Sequence, residues 1–528
     1  MKKRLLLLIP ILLVSLAGCK NDQHSSSHNG SSGNSGGTST SGGTTSSDID
    51  PTSSTTIEIY ATNDMHGIIQ EEYGRTGMPK LMTYLNDKGK EANTLLLDQG
   101  DSWQGSIYSN YNHGALITDL MNYVHFDGRT VGNHDFDWGI DYLKANTAKS
   151  YNGYATPVLA GNIYDYDFAT KTIGTHQQSD IGVKSVTYTL ENGLKVGFLG
   201  CIGDGQITSI TSLYTKDICF TNHIDFIKSE ATHLRNDEDC DIVIASIHTG
   251  QDDVMRQGLG DYVDLVLCGH THSEESDNEG NLFYVQSQAY TQSFSHITLT
   301  YNYEQEDVVE TKIDWIKAEN LKNAVKTVDP TIQQIINTYN QECDTAANEV
   351  VAVNVEGNFY SSQQYPNLMC KAIMDQCISE GYNDVFLSYV NKARDSIYSA
   401  TWTYADLYQA FPFDNVVYIT EITGAELLRE VKGYNFICRN SSYTNNEISR
   451  NSKYKIAVLD YLYFHTDEYR DYDYFPTSAD TSTITLTKNY REILRDWLRA
   501  GGYTNGGLKA SDYSNSLWQF NRNAFVEA

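Results

Sequence analysis

Positive charge is scarce in this 528-residue chain: 38 Lys and Arg stand against 67 Asp and Glu, giving a net charge of −29 and an isoelectric point near 4.7. Phosphate polymers would be repelled at long range, which excludes nucleic-acid binding through a basic face. A small anion remains admissible if metal ions and a few local cations supply the positive field. Close Cys-x-x-Cys pairs are also lacking, so no structural zinc site is expected. Eight cysteines follow Cys19, at 201, 219, 240, 268, 343, 370, 377 and 438. An exported compartment permits disulfides, but their pairing is not deducible from sequence, and none of the eight is read as a catalytic nucleophile. Cys201 and Cys268 border apolar runs and are expected as small buried side chains. The apolar run 5–16 falls short of the roughly 20 residues that span a bilayer.

What is present argues for folded material. Hydrophobic residues make up 40% of the chain and aromatics 12%, and the length exceeds one ordinary core, so two globular domains with extensions are expected. Met1-Lys2-Lys3-Arg4 is a basic start, followed by the apolar run and by Leu16-Ala17-Gly18-Cys19, which resembles a bacterial lipoprotein signal with Cys19 as the lipidated residue. Residues 20–56 are almost wholly Ser, Gly, Thr, Asn and Asp, the composition of a flexible tether. The expected organisation is a signal over 1–19, a tether over 20–56, a catalytic domain over 57–325, a linker helix over 326–350 and a second domain over 351–528. Such a protein sits on the outer side of a cell membrane, held only by its lipid.

From 57 to about 315, short apolar runs alternate with stretches of helical spacing. Candidate strands are 57–62, 94–98, 195–200, 241–246, 263–268 and 282–286, with helices such as 80–88 and 115–123 between them. That alternation predicts layered α/β architecture with its site at the carboxyl ends of the strands. Five polar clusters fall at or near such ends: Asn63-Asp64-Met65-His66-Gly67, Gly100-Asp101-Ser102-Trp103-Gln104-Gly105-Ser106, Gly132-Asn133-His134-Asp135-Phe136-Asp137, Ile247-His248-Thr249-Gly250 and Gly269-His270-Thr271-His272. A lone Asp-x-His is more often a turn than a ligand pair. Five clusters in order make a metal cage the stronger reading.

The residue types suit phosphate-ester hydrolysis, which needs an activated water and neutralised phosphoryl charge. Two divalent cations about 3.5–4 Å apart do both. Asp101, between the other clusters, is the candidate bridging carboxylate. Asp64, His66 and His272 would complete one metal; Asn133, His248 and His270 would complete the other. His134 would face the substrate, stabilising the phosphoryl group or protonating the leaving oxygen, and Asp137 would orient it. Imidazole, carboxylate and one Asn suit zinc, manganese, iron or cobalt better than calcium.

The extended motifs resemble the calcineurin-like metallophosphoesterases, and within them the 5′-nucleotidase family. The resemblance implies the ligand assignments above, a four-layer α/β/β/α metallophosphoesterase domain followed by a smaller α+β C-terminal domain, and His134 with Asp137 as catalytic pair. It extends to Asn391-Lys392-Ala393-Arg394, similar to the family's Arg loop, and to Ala410-Phe411-Pro412-Phe413-Asp414-Asn415, similar to its aromatic turn. Phe413 and Trp497 match the two positions that stack a base, and Arg394 would meet phosphate. Either aromatic could instead be core. The chain departs from the family where Gly501-Gly502 is followed by Tyr503 rather than Asp, and where 359–364 carries no arginine. The expected function is an extracellular 5′-nucleotidase. The alternatives are a phosphoesterase of the same fold acting on cyclic nucleotides, nucleotide sugars or a non-nucleotide ester, or a non-catalytic nucleotide-binding lipoprotein.

Overall fold

Residue parity along the first strand sets the layering. In a computed structural model, which describes residues 53–514 apart from 73, 168, 433–435, 444–447 and 464–483, strand Ser54–Thr62 points Ile57, Ile59 and Ala61 to one face and Tyr60 to the other. The inner face meets Val196, Phe198, Ile242, Ile244, Leu265 and Leu267 of a second sheet. Tyr60 and Leu96 meet helices Met78–Lys88 and Ala115–Val124. The second sheet repeats the pattern: Leu199, Cys201, Val243, Ala245 and Ile247 turn outward onto helix His223–Asn236. The result is the expected α/β/β/α order.

Within the first sheet, Ser54–Thr62, Thr94–Asp98, Gly128–Thr130 and Val158–Leu159 run parallel, flanked by the antiparallel strands Ser293–Asn302 and Asp307–Lys317. In the second, Lys195–Ile202, Ile242–His248, Leu265–Cys268 and Leu282–Gln286 are parallel, with Ser185–Thr189 and Glu275–Glu279 antiparallel at the edges. Both sheets therefore bring several carboxyl ends to one rim. The first strand starts at Ser54, inside the stretch expected as tether, because Ser54, Thr55 and Thr56 continue the ladder to Asn302, Tyr301 and Thr300. Cys19 lies outside the described residues. All eight later cysteines are buried, and burial pushes the Cys201 and Cys268 thiols far up.

Helix Pro330–Ala347 opens on Asp329, whose carboxylate accepts the Thr331 and Ile332 N–H groups, with Pro330 in the first turn where no N–H is needed. Tyr339 donates to Asp119 at 2.6 Å and Tyr123 to Asp329 at 3.1 Å, tying the helix to the outer helix layer. The second domain carries a five-stranded sheet in the order Phe436–Arg439, Val385–Val390, Lys453–Leu459, Val416–Thr423, Ile484–Asn489. Helices Gln364–Ser379 and Tyr490–Ala500 pack on it, and one apolar cluster runs from the catalytic helices through the linker helix into this domain.

Candidate active site

Loops leaving the parallel strands carry the polar clusters to one place. Asp64, His66 and His272 form one group of converging donor atoms; Asp101, His248 and His270 form another. In the first, His66 Nε2 stands 3.1 Å from His272 Nε2, and His272 Nε2 stands 3.6 Å from Asp64. In the second, His248 Nε2 is 3.2 Å from Asp101, and the Asn133 amide oxygen is 3.2 Å from His248 and 3.0 Å from His270. Carbonyls behind the rings fix their orientation: Nδ1 of His66 bonds Gln104 O at 2.8 Å, and Nδ1 of His248 bonds Gln99 O at 2.7 Å. Such bonds leave each Nε2 lone pair aimed inward.

Electrostatics fit a cation site. Burial lowers His270 and His272 to about 4 and His66 well below its ordinary value, so all three keep the neutral form that ligates metal. Burial alone would also lower His248, but the Asp101 carboxylate beside it raises it to about 10. Asp101 is correspondingly held well below the usual carboxylate range, because the surrounding imidazoles outweigh its own burial. Asp64, His66, Asp101, His270 and His272 all have left-handed backbones, with φ between 48° and 75°. Non-glycine residues are held there only where surrounding structure enforces it, and such strain clusters at functional sites. Gly132 allows the close approach: a Cβ on it would lie 2.2 Å from Asp101 Oδ1.

Beneath the rim lies a buried ion-pair bed that the sequence reading missed. Arg129 is almost fully buried, 3.8 Å over the Trp103 ring, with its guanidinium 2.5 Å from Asp135 and 3.8 Å from Asp98. Asp135 accepts the Gly132 N–H, and Asp98 accepts the Gly100 N–H and the Ser102 hydroxyl. One cation thus braces both loops that carry Asp101 and Asn133. An arginine inside a short strand was the available signal. Arg129→Met should lower the unfolding free energy in a urea titration by about 3–5 kcal/mol, the cost of leaving buried carboxylates unpaired. A loss below about 1 kcal/mol, as for exposed pairs, would mean the bed is not paired as described.

His134 Nδ1 is 2.9 Å from Asp137, whose carboxyl burial raises. On its other side, Arg394 of the second domain reaches His134 Nε2 at 2.9 Å. Phe413 stacks on the His134 ring at 5.3 Å, and the Arg394 guanidinium lies 5.6 Å from the Phe413 ring. A polar hollow of about 260 Å³ is bounded by Asp101, His134, His270, Thr271, His272 and Arg394. Trp497 is not brought there. Its indole donates to Asp375 at 2.9 Å and its ring stacks on Tyr503 at 5.4 Å.

Residues 57–274 match the family model for calcineurin-like phosphoesterase. Among curated proteins, the chain is 22% identical over 406 residues to the trifunctional nucleotide phosphoesterase protein YfkN of Bacillus subtilis (strain 168), covering 70% of this chain and 27% of that one. It is 23% identical over 506 residues to the 5′-nucleotidase of Bos taurus, covering 84% and 83%. The chain spans about a quarter to a third of the length of the first curated relatives it matches. The solved 5′-nucleotidase precursor from Thermus thermophilus superposes with a TM-score of 0.67 at 15% identity, over 84% of this chain and 96% of that one, a likeness of fold. Residues 57–274 thus form a calcineurin-like phosphoesterase domain, with donor groups suited to divalent metal ions at its rim. Several of the proteins it resembles are 5′-nucleotidases.

Proposed function

We propose that the protein is a 5′-nucleotidase working outside the cell, tethered through a lipid on Cys19 and using two divalent cations drawn from zinc, manganese, iron and cobalt. The observation that carries this reading is the Asp137–His134–Arg394 chain across the mouth of the polar hollow. Bound cations would activate the attacking water and neutralise phosphoryl charge. Asp64, His66 and His272 would hold one, and Asp101, Asn133, His248 and His270 the other. A phosphate entering the hollow takes the Arg394 donors, which a planar guanidinium offers in pairs, and releases His134 Nε2. With Nδ1–H directed at Asp137, the imidazole is held with Nε2 facing the ester, placed to pass a proton to the leaving oxygen.

Phosphate release from the purified, manganese- or zinc-loaded protein tests this across AMP, ATP, a 2′,3′-cyclic nucleotide, a UDP-sugar and an aryl phosphate. Preference for AMP supports the nucleotidase reading; activity on the aryl ester alone supports a different substrate. The second reading has its own support, since Trp497 is engaged by Asp375 and Tyr503 and the residue after Gly501-Gly502 is Tyr503. If Phe413 and Trp497 clasp a base, Trp497→Ala raises KM for AMP by about 5- to 150-fold, from a stacking contribution of about 1–3 kcal/mol. An unchanged KM removes Trp497 from the binding site.

A further inference from the structure

A second cavity, of about 530 Å³, opens beside His66 and His272 and reaches Arg394 and Pro412 of the second domain. Its volume is that of a small-molecule site. The groups it offers are mostly uncharged hydrogen-bonding ones. Gln70 donates to the Tyr108 hydroxyl at 3.3 Å, and Gln409 donates to Asp395 at 2.9 Å. Gln104 is 1% exposed, and both its amide atoms lack a partner in the structure. A buried amide with neither donor nor acceptor engaged is costly unless a ligand or water meets it. The same residue's carbonyl holds His66 Nδ1, so a group bonded to Gln104 lies next to the first donor cluster.

The charges lining the cavity are already engaged. Arg75 bridges Glu72 at 3.2 Å and Asp395 at 3.1 Å and sits 5.0 Å from the Tyr290 ring. Asp406 accepts the Thr403 N–H at 2.6 Å. Three carboxylates face two guanidiniums, with Arg394 committed to the hollow, so a second anionic group would be repelled. Ile69 and Ile107 supply an apolar wall. Amides, a hydroxyl and carboxylates around a partly apolar wall suit vicinal hydroxyls, each of which both donates and accepts.

We propose that this cavity is a leaving-group subsite for an uncharged, hydroxyl-rich ester partner, so that sugar or polyol monophosphates are substrates. The inference rests on the phosphoesterase reading but not on the nucleotide one. In the reaction, water oxygen bonds to phosphorus, the ester P–O bond breaks, and the sugar oxygen takes a proton. Two measurements test it, with Gln70→Leu and Gln409→Leu as variants on the cavity wall. First, kcat/KM for ribose 5-phosphate is compared with that for an aryl phosphate. The ratio should fall about tenfold in each variant, roughly one lost hydrogen bond to a hydroxyl. Second, saturation-transfer NMR of the metal-free protein with ribose should give a signal that both variants lose. An unaltered ratio together with an unaltered or absent ribose signal overturns the proposal. Failure of the parent enzyme to hydrolyse the aryl ester would instead remove the phosphoesterase reading, and the ribose signal would still decide the cavity.

Discussion

Asp101→Ala is expected to strip the protein of bound divalent metal and to lower phosphate release by on the order of 10³-fold or more, beyond the 10–100-fold that loss of an outer partner costs. The side chain does three things that alanine cannot. One oxygen accepts the His134 N–H at 2.8 Å, which fixes the loop bearing Asn133 and His134. The other stands 3.2 Å from His248 Nε2 and holds that imidazole at about 10. Its charge also sits beside the His134 and His66 rings. Without it, a cation would meet neutral rings and one amide in the second group, a donor set with no charge to balance. Metal content after dialysis and phosphate release are the two readouts. Full metal occupancy in the variant would remove Asp101 from the ligand set.

His134→Ala should behave differently, cutting kcat by about 10²–10⁴, the scale of acid–base assistance, while metal content stays near that of the parent. The main-chain bond from residue 134 to Asp101 survives the substitution, so the loop keeps its anchor. What goes is the imidazole between Asp137 and Arg394. Loss of metal in this variant would mean that His134 holds the site together rather than acting on the ester.

The local pattern carried much of the fold. Strands at 94–98 and 282–286 coincide with Thr94–Asp98 and Leu282–Gln286, because apolar runs bounded by polar clusters have few alternative placements. The run from 263 gives a strand only from Leu265, since Asp264 is diverted to the Val243 N–H and to Arg235. The antiparallel strands Ser293–Asn302 and Asp307–Lys317 escaped notice: half their residues are polar and partly exposed, and no chemical motif marks them. At the site, the donor residues were legible because their types are chemically restrictive. Arg129 was not, since its worth depends on Asp98, which is distant in sequence. Nor could sequence show Trp497 bound to Asp375, a partner 122 residues away.

The left-handed backbones at five donor residues carry a consequence for how this protein would respond to selection for heat resistance. Each holds the chain in a conformation costing about 1–3 kcal/mol that only glycine adopts freely. Glycine at Asp64 or His272 would relieve that strain while deleting a donor, so a screen for folding alone should drift toward a tougher, inert protein. The rim is therefore where robustness and turnover pull in opposite directions, and library design that scores only melting temperature would erode the enzyme from its centre outward.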